Sequence, residues 1–230
     1  MHPLDNVIWN ALTTRDAQFA EGNGISRRFI RDVGPLGAFV EHGDAGYESL
    51  AELVKPGGTV GLFLDEPYAA RPGWNFVVGA PLLQMIWASA PTPAPGNGRG
   101  PEVLLLGAKD SDEMIELTAL TKPGPFTTRT HELGTYLGIR DGGKLVAMAG
   151  ERLKVPGHTE VSAVCTHPDH VGKGYGRTLM TAVMRGIQER GETPFLHVRQ
   201  DNERAIALYE KLGFIKRHWG HFAVIRASEE

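Results

Sequence analysis

The run EVSAVCTHPDHVGKGYGRTLM, Glu160 to Met180, constrains the fold of this chain more than any other stretch. An apolar run stops at Pro168, and glycines follow at 172, 174 and 176. Leu179, Met180, Val183, Met184 and Ile187 then recur at helical spacing, and Gly191 ends the helix. A strand that enters a helix through a turn nearly bare of side chains belongs to a layered α/β protein. The first N–H groups of such a helix have no partner inside it, and the helix dipole makes that end positive. Glycines let an anion reach those donors, and Lys173 and Arg177 add positive charge, so the segment predicts a phosphate-binding junction.

The spacing excludes two familiar phosphate loops. A dinucleotide fingerprint needs glycine three residues after Gly174, where Arg177 stands. A P-loop needs Ser or Thr after its Gly-Lys, where Gly174 stands.

Around the junction the chain alternates between strand and helix signals. EVLLLGA reads as a short buried strand, and DSDEMIELTALT as a helix with acidic residues in its first turn. KPGPFTTRTHELG reads as a loop leading to a short helix or turn. YLGIRDGGKLVAMAGERL reads as a hairpin turned at Asp141-Gly142-Gly143. TEVSAVCT and TPFLHVR are strands, and NERAIALYEKLG is a helix capped by Asn202 or Asp201 and closed by Gly213. FIKRHWGHFAVIRA is expected to form a final hairpin.

The composition breaks at SAPTPAPGNGRGP, which reads as a linker or long loop over 89–101. It divides an N-terminal lobe, 1–88, from a C-terminal domain, 102–230. In the lobe, Val7, Ile8, Leu12 and Phe19 suggest one helical face, while TVGLFLDEP and WNFVVGAPLLQMIW suggest buried strands closed by prolines. No catalytic constellation is legible there.

Charge and cysteine content narrow the function. A net charge of −3 argues against a nucleic-acid partner held by bulk positive charge. Cys165 is the only cysteine, which excludes an internal disulfide and fits a reducing compartment. The N-terminus lacks a signal-peptide pattern and no apolar run reaches the roughly 20 residues of a membrane span, so a cytoplasmic location with no membrane partner is expected. His167 and His170 flank Pro168 without a third ligand, so no metal is expected.

Val171-Gly172-Lys173-Gly174-Tyr175-Gly176 resembles the coenzyme A motif [QR]-x-x-G-x-[GA] of the GNAT acetyltransferase superfamily, with Val171 replacing the leading Gln or Arg. AVCTHPDHVGKGYG resembles the longer form V-x-P-x-x-R-G-x-G-x-G through Pro168 and the glycines. HVRQDNERAIALYEKLGF resembles N-x-x-A-x-x-x-Y-x-x-x-G-F through Asn202, Ala205, Tyr209, Gly213 and Phe214. The resemblance runs from Glu102 to the C-terminus. The closing region is also similar to the C-terminal domain of glycine N-acyltransferase-like proteins, which would make 1–88 a degenerate GNAT-like half.

The resemblance implies a mixed, mostly antiparallel α/β (α+β) sheet flanked by helices, and acetyl-CoA-dependent N-acetylation of a primary amine by direct attack in a ternary complex. Backbone groups of Val164, Cys165 and Thr166 would pair with the pantetheine arm and polarise the thioester. Residues 171–177 would hold the pyrophosphate, and Asn202 would contact the cofactor or cap its helix. Tyr209 would protonate the leaving thiolate. His197 takes the position where ribosomal-protein N-terminal acetyltransferases carry a base, with Glu160 and Glu151 as rivals acting through water. Phe126 and Arg129 are candidates for the acceptor pocket. The acceptor is expected to be an amine-bearing small molecule or a peptide N-terminus, and the protein a monomer or homodimer. The alternatives are a non-catalytic acyl-CoA sensor and an acyltransferase using a longer acyl chain.

Overall fold

The computed structural model describes residues 2–22, 24–88 and 100–229. Of the expected linker, all but Gly100 and Pro101 lies outside the described residues. In chain order the elements begin with α1 (Val7–Thr13), β1 (Ala20–Glu21), β2 (Ser26–Phe29), β3 (Gly37–Phe39), α2 (Asp44–Leu53), β4 (Thr59–Leu64) and β5 (Trp74–Trp87). They continue with β6 (Leu104–Leu106), α3 (Ser111–Thr121), β7 (Tyr136–Asp141), β8 (Lys144–Val155) and β9 (His158–Thr166). The last are α4 (Tyr175–Glu189), β10 (Thr193–Arg199), α5 (Glu203–Lys211) and β11 (Phe214–Ala227).

An eight-stranded sheet in the order β4-β11-β5-β10-β9-β8-β7-β6 forms the centre. All its pairings are antiparallel except that of β9 with β10. β4 and β5 come from the first 88 residues, so the sheet crosses the expected lobe boundary. β1, β2 and β3 form a separate small sheet.

Side-chain alternation along the strands assigns the two faces. Leu83, Met85, Ala147, Ala149, Leu196 and Val198 meet α4 and α5. Phe195, Leu153 and Val155 point the other way, against α1 and the small sheet. Met148 and Cys165 pack with Met114 and Leu117 of α3. The five α4 residues picked out by helical spacing are all at most 2% exposed. Burying each stabilises the fold by about 1.5–3 kcal/mol before the entropic cost.

Four sequence expectations need correction. α1 stops at Thr13, and Phe19 sits in a separate short 3₁₀ turn. β6 is an edge strand, with Leu105 71% exposed. β5 runs through Pro81, and its first half carries the exposed Phe76, Val77 and Val78. The Pro81 carbonyl accepts from Gln200 N at 3.1 Å, so the missing N–H of the proline faces the chain just past the end of β10, beyond the last rung at Arg199. The final segment is one strand of 14 residues and not a hairpin. Gly220 does not turn the chain: a Cβ there would lie 2.7 Å from the Leu64 carbonyl oxygen of β4, so the glycine serves a close strand approach.

Candidate active site

β9 and β10 pair over only three positions, ending at Phe195 opposite Glu160. Beyond that rung Val161–Thr166 and Leu196–Arg199 separate, leaving two strand edges that face a wedge-shaped opening. β9 also carries a bulge: Met148 pairs with Cys165 but Gly150 pairs with Ser162, so β9 spends one extra residue there. Ala163 adopts φ +52 at this point, a left-handed conformation that turns the backbone out of the regular ladder. Val164, Cys165 and Thr166 follow it along the opening.

At the end of β9 the chain passes through a short 3₁₀ turn, Pro168–His170, into the glycine loop. Gly172 and Gly174 have φ of +92 and +80, and a Cβ on either would meet nothing within 4 Å. Both glycines are therefore there for conformation and for open space, and Gly174 is the N-cap of α4. The loop is braced from the side. Asp141, in the β7–β8 turn, lies 3.0 Å from His170 Nε2 and 3.7 Å from Lys173 Nζ, and the Lys173 ammonium is 5.9 Å from the Tyr175 ring centre. His167 Nδ1 accepts from Asp169 N, and its ring meets that of His170 edge-on at 5.7 Å, so both histidines brace the turn. Among the described residues no cluster of three or more His, Cys, Asp or Glu is placed to hold a metal. Val171 and Arg177 are exposed beside the loop.

Tyr209 projects from α5 and is 8% exposed. Burial pushes its hydroxyl up to about 12, with Cys165 adding to the effect, so it is a protonated phenol at neutral pH. Burial also raises the Cys165 thiol to about 11, which makes it a poor nucleophile. The Asn202 side chain caps α5 by accepting from Ala205 N at 3.2 Å.

The sequence candidates for a base converge at the last β9–β10 rung. Glu160, 1% exposed, receives two hydrogen bonds from Arg152, each 2.8 Å. Burial alone would raise its carboxyl, but Arg152, helped by His197, brings it down to about 2. Glu160 is thus a fixed anion. Its Oε1 also lies 2.7 Å from His197 Nδ1. Burial lowers the His197 pKa despite the raising effect of Glu160. Glu151 is equally buried and is held by Lys154 and Arg190, away from this pair.

His197 lines a cleft enclosing about 390 Å³, including the solvent at its mouth. Phe63 of β4, Gln84 of β5 and His218 of β11 share the wall, with Asp5 from just ahead of α1 and His42 from just ahead of α2. No local pattern in the sequence signals this contribution, because Gln84 and His197 are 113 residues apart. The expected acceptor residues lie elsewhere. Arg129 makes two 2.8 Å bonds to Glu132. Thr127 and Thr130 donate to the carbonyls of Asp32 and Val33, fastening their loop to the segment between β2 and β3. Phe126 packs edge-on to Tyr136 at 5.6 Å.

The FR47-like protein family model matches residues 136–223, which contain the opening, the glycine loop and Tyr209. A crystal structure of a GNAT-family protein from Novosphingobium aromaticivorans superposes with a TM-score of 0.90 at 37% identity, covering 99% of this chain and 100% of that one. The N-alpha-acetyltransferase RimI of Mycobacterium tuberculosis is 40% identical over 99 residues, 40% of this chain and 61% of the relative. Mycothiol acetyltransferase of Streptomyces coelicolor is 37% identical over 89 residues, 36% of this chain and 27% of the relative. The chain thus spans less than two thirds of the length of either curated relative. No helix among the described residues is long and apolar enough to cross a membrane.

Proposed function

We propose, because this chain belongs to the GNAT family, that it is an acetyl-CoA-dependent N-acetyltransferase acting on a primary amine by direct attack in a ternary complex. The observation that carries this reading is the parting of β9 and β10 beside a glycine loop open at Gly172 and Gly174. Unpaired strand edges suit the amide groups of a pantetheine arm, and the bare N-terminus of α4 suits a diphosphate. The bound thioester supplies the electrophilic carbonyl. In this reading Val164, Cys165 and Thr166 offer backbone donors to it, and residues 171–177 with Asn202 hold the nucleotide end.

His197 takes the proton from the incoming ammonium, since it is a neutral imidazole on the wall of a cleft beside the opening. Glu160 orients it and, already bound by Arg152, does not act as base itself. Tyr209, a buried phenol, gives its proton to the departing thiolate. The poor nucleophilicity of Cys165 supports direct attack over an acyl-enzyme.

The names of the two curated relatives, an N-alpha-acetyltransferase and a mycothiol acetyltransferase, fit an amine-bearing small molecule or a peptide N-terminus as acceptor here. The same reading assigns a cytoplasmic location, and makes 1–88 a lobe that the likeness to glycine N-acyltransferase-like proteins would derive from a degenerate second half.

Two measurements test the reading. Calorimetry with coenzyme A should give saturable, roughly one-to-one binding. Thiol release from acetyl-CoA should depend on an amine drawn from a panel of short peptides with free N-termini and small primary amines. A folded protein that takes up no coenzyme A would overturn it, and binding without amine-dependent thiol release would leave the acyl-CoA sensor in its place.

A further inference from the structure

A glutamine amide has an accepting end and a donating end, and here its partners fix which is which. Arg217 Nη1 donates to Gln84 Oε1 at 2.7 Å, and Gln84 Nε2 donates to the Leu4 carbonyl at 3.0 Å. A guanidinium cannot accept and a carbonyl cannot donate, so reversing the amide would break both bonds. Gln84 Nε2 also lies 3.1 Å from His197 Nε2. Since the amide nitrogen can only donate, the imidazole accepts at Nε2, and its proton sits on Nδ1, which donates to Glu160. Arg217 reaches Gln84 because it is the extra residue of a bulge: Lys216 pairs with Met85 and His218 with Gln84. Arg217 is anchored in turn to Asp5, just ahead of α1.

From this geometry we propose that Gln84, contributed by the first 88 residues, is the positioning residue that holds His197 as the neutral imidazole, its Nε2 lone pair accepting the Gln84 amide at the cleft wall and so kept free of a proton. The inference rests on His197 being the base. A proton on Nε2 would point one donor at another, and the amide cannot turn to relieve the clash without losing Arg217 and Leu4. The incoming amine then takes the place of the Gln84 amide at Nε2 and finds an unprotonated base.

The charged surroundings of His197 do not supply this control by themselves. Glu160 on β9 favours the imidazolium, but its charge is shared with Arg152 of β8. On β11, Arg217 is paired with Asp5, and His218 lies 3.0 Å from Asp65 at the end of β4. His42 completes the titratable lining. Glu160 can only accept and so keeps the proton on Nδ1, while Gln84 is the neighbour whose donor opposes a second proton on Nε2.

Nitrogen-15 NMR of the full chain labelled at histidine reads both tautomer and titration, with no acceptor needed. His197 in the unaltered protein should show the Nδ1–H pattern and titrate below the ordinary histidine value of 6.5. Gln84→Glu keeps a partner for Arg217 and offers Nε2–H an acceptor, so the midpoint should rise by about one pH unit or more. The acid limb of kcat/KM, measured by thiol release with the most active amine of the panel, should move with it. Gln84→Met removes the donor that opposes protonation of Nε2 without adding charge, so the midpoint should still rise while Glu160 keeps the proton on Nδ1, which keeps the test decisive if Gln84→Glu does not fold. An unchanged midpoint in the folded variants would overturn the inference. A midpoint that rises while the acid limb stays put would instead overturn the base role of His197, and with it any part for Gln84 in catalysis.

Discussion

Glu160 occupies the last rung between β9 and β10, and its Oε1 is 2.7 Å from Nδ1 of His197, two residues further along the neighbouring strand. The place where the sheet opens is thus also where a fixed anion meets an imidazole. His197→Ala should lower kcat/KM by about 10²- to 10⁴-fold, the usual contribution of a general base. In the unaltered enzyme kcat/KM should rise with pH through a value below 6.5, because burial favours the neutral ring and the neutral ring is the active form. That limb should vanish in the variant while coenzyme A affinity, followed by calorimetry, stays within about twofold. A retained limb would remove His197 from the reaction.

Tyr209 stands on the other face of the sheet, in the cluster with Leu196 and Val198. A group that protonates the leaving sulfur acts after binding. Tyr209→Phe should therefore lower kcat by about 10²-fold or more and leave the coenzyme A dissociation constant nearly unchanged. The phenol stays protonated to about pH 12, so no alkaline limb assignable to it should appear below that value. Unchanged turnover in the variant would make Tyr209 a packing residue only.

Features with local causes were legible in the sequence. Gly142 and Gly143 have φ of +57 and +83, as the Asp-Gly-Gly turn predicts, and the Asn202 cap depends on a residue three positions away. The glycine loop could be read because its strand, turn and helix are contiguous. What could not be read depends on partners distant in the chain. Gly220 resembles a turn glycine until β4 is known to lie against it. Pro81 resembles a strand terminator until β10 is seen to end beside it. Arg129 and the threonines of its loop look like ligands for a carboxylate, but Glu132 and the carbonyls of Asp32 and Val33 already occupy them. The importance of Gln84 depends on three partners, Leu4, His197 and Arg217, that no local pattern connects.

Gly174 offers a direct test of the phosphate-binding junction. With φ +80 and no atom within 4 Å of the point where a β-carbon would lie, Gly174→Ala meets no steric obstacle inside the protein. It does force a β-carbon into a left-handed conformation, at a cost of about 1–2 kcal/mol, and places that carbon in the path of an anion. The coenzyme A dissociation constant should rise by about tenfold or more, while the α4 core, buried on the far side of the helix, keeps the fold cooperative. Calorimetry and thermal unfolding separate the two effects. An unaltered affinity would show that the diphosphate does not use this turn.

Asp16 makes the last prediction, which concerns stability. It follows α1, is 1% exposed, and accepts a 2.9 Å hydrogen bond from Lys154 N of β8, so it ties the N-terminal lobe to the central sheet. Burial raises its carboxyl from 3.8 to about 7, against the opposing effect of the Lys154 bond. Below pH 4 the folded and unfolded chains both carry the proton, and the group costs nothing. Between pH 4 and 7 the unfolded chain releases the proton while the folded chain keeps it, so stability falls as pH rises. Above pH 7 the folded chain holds a buried anion and the loss levels off, at up to about 4 kcal/mol. Asp16→Asn keeps an acceptor for the Lys154 amide and removes the titration. Denaturant unfolding should find the variant more stable than the unaltered protein at pH 8, with the advantage shrinking or reversing at pH 4. An equal difference at both pH values would mean that Asp16 titrates like an exposed carboxylate and that the joint between lobe and sheet admits water.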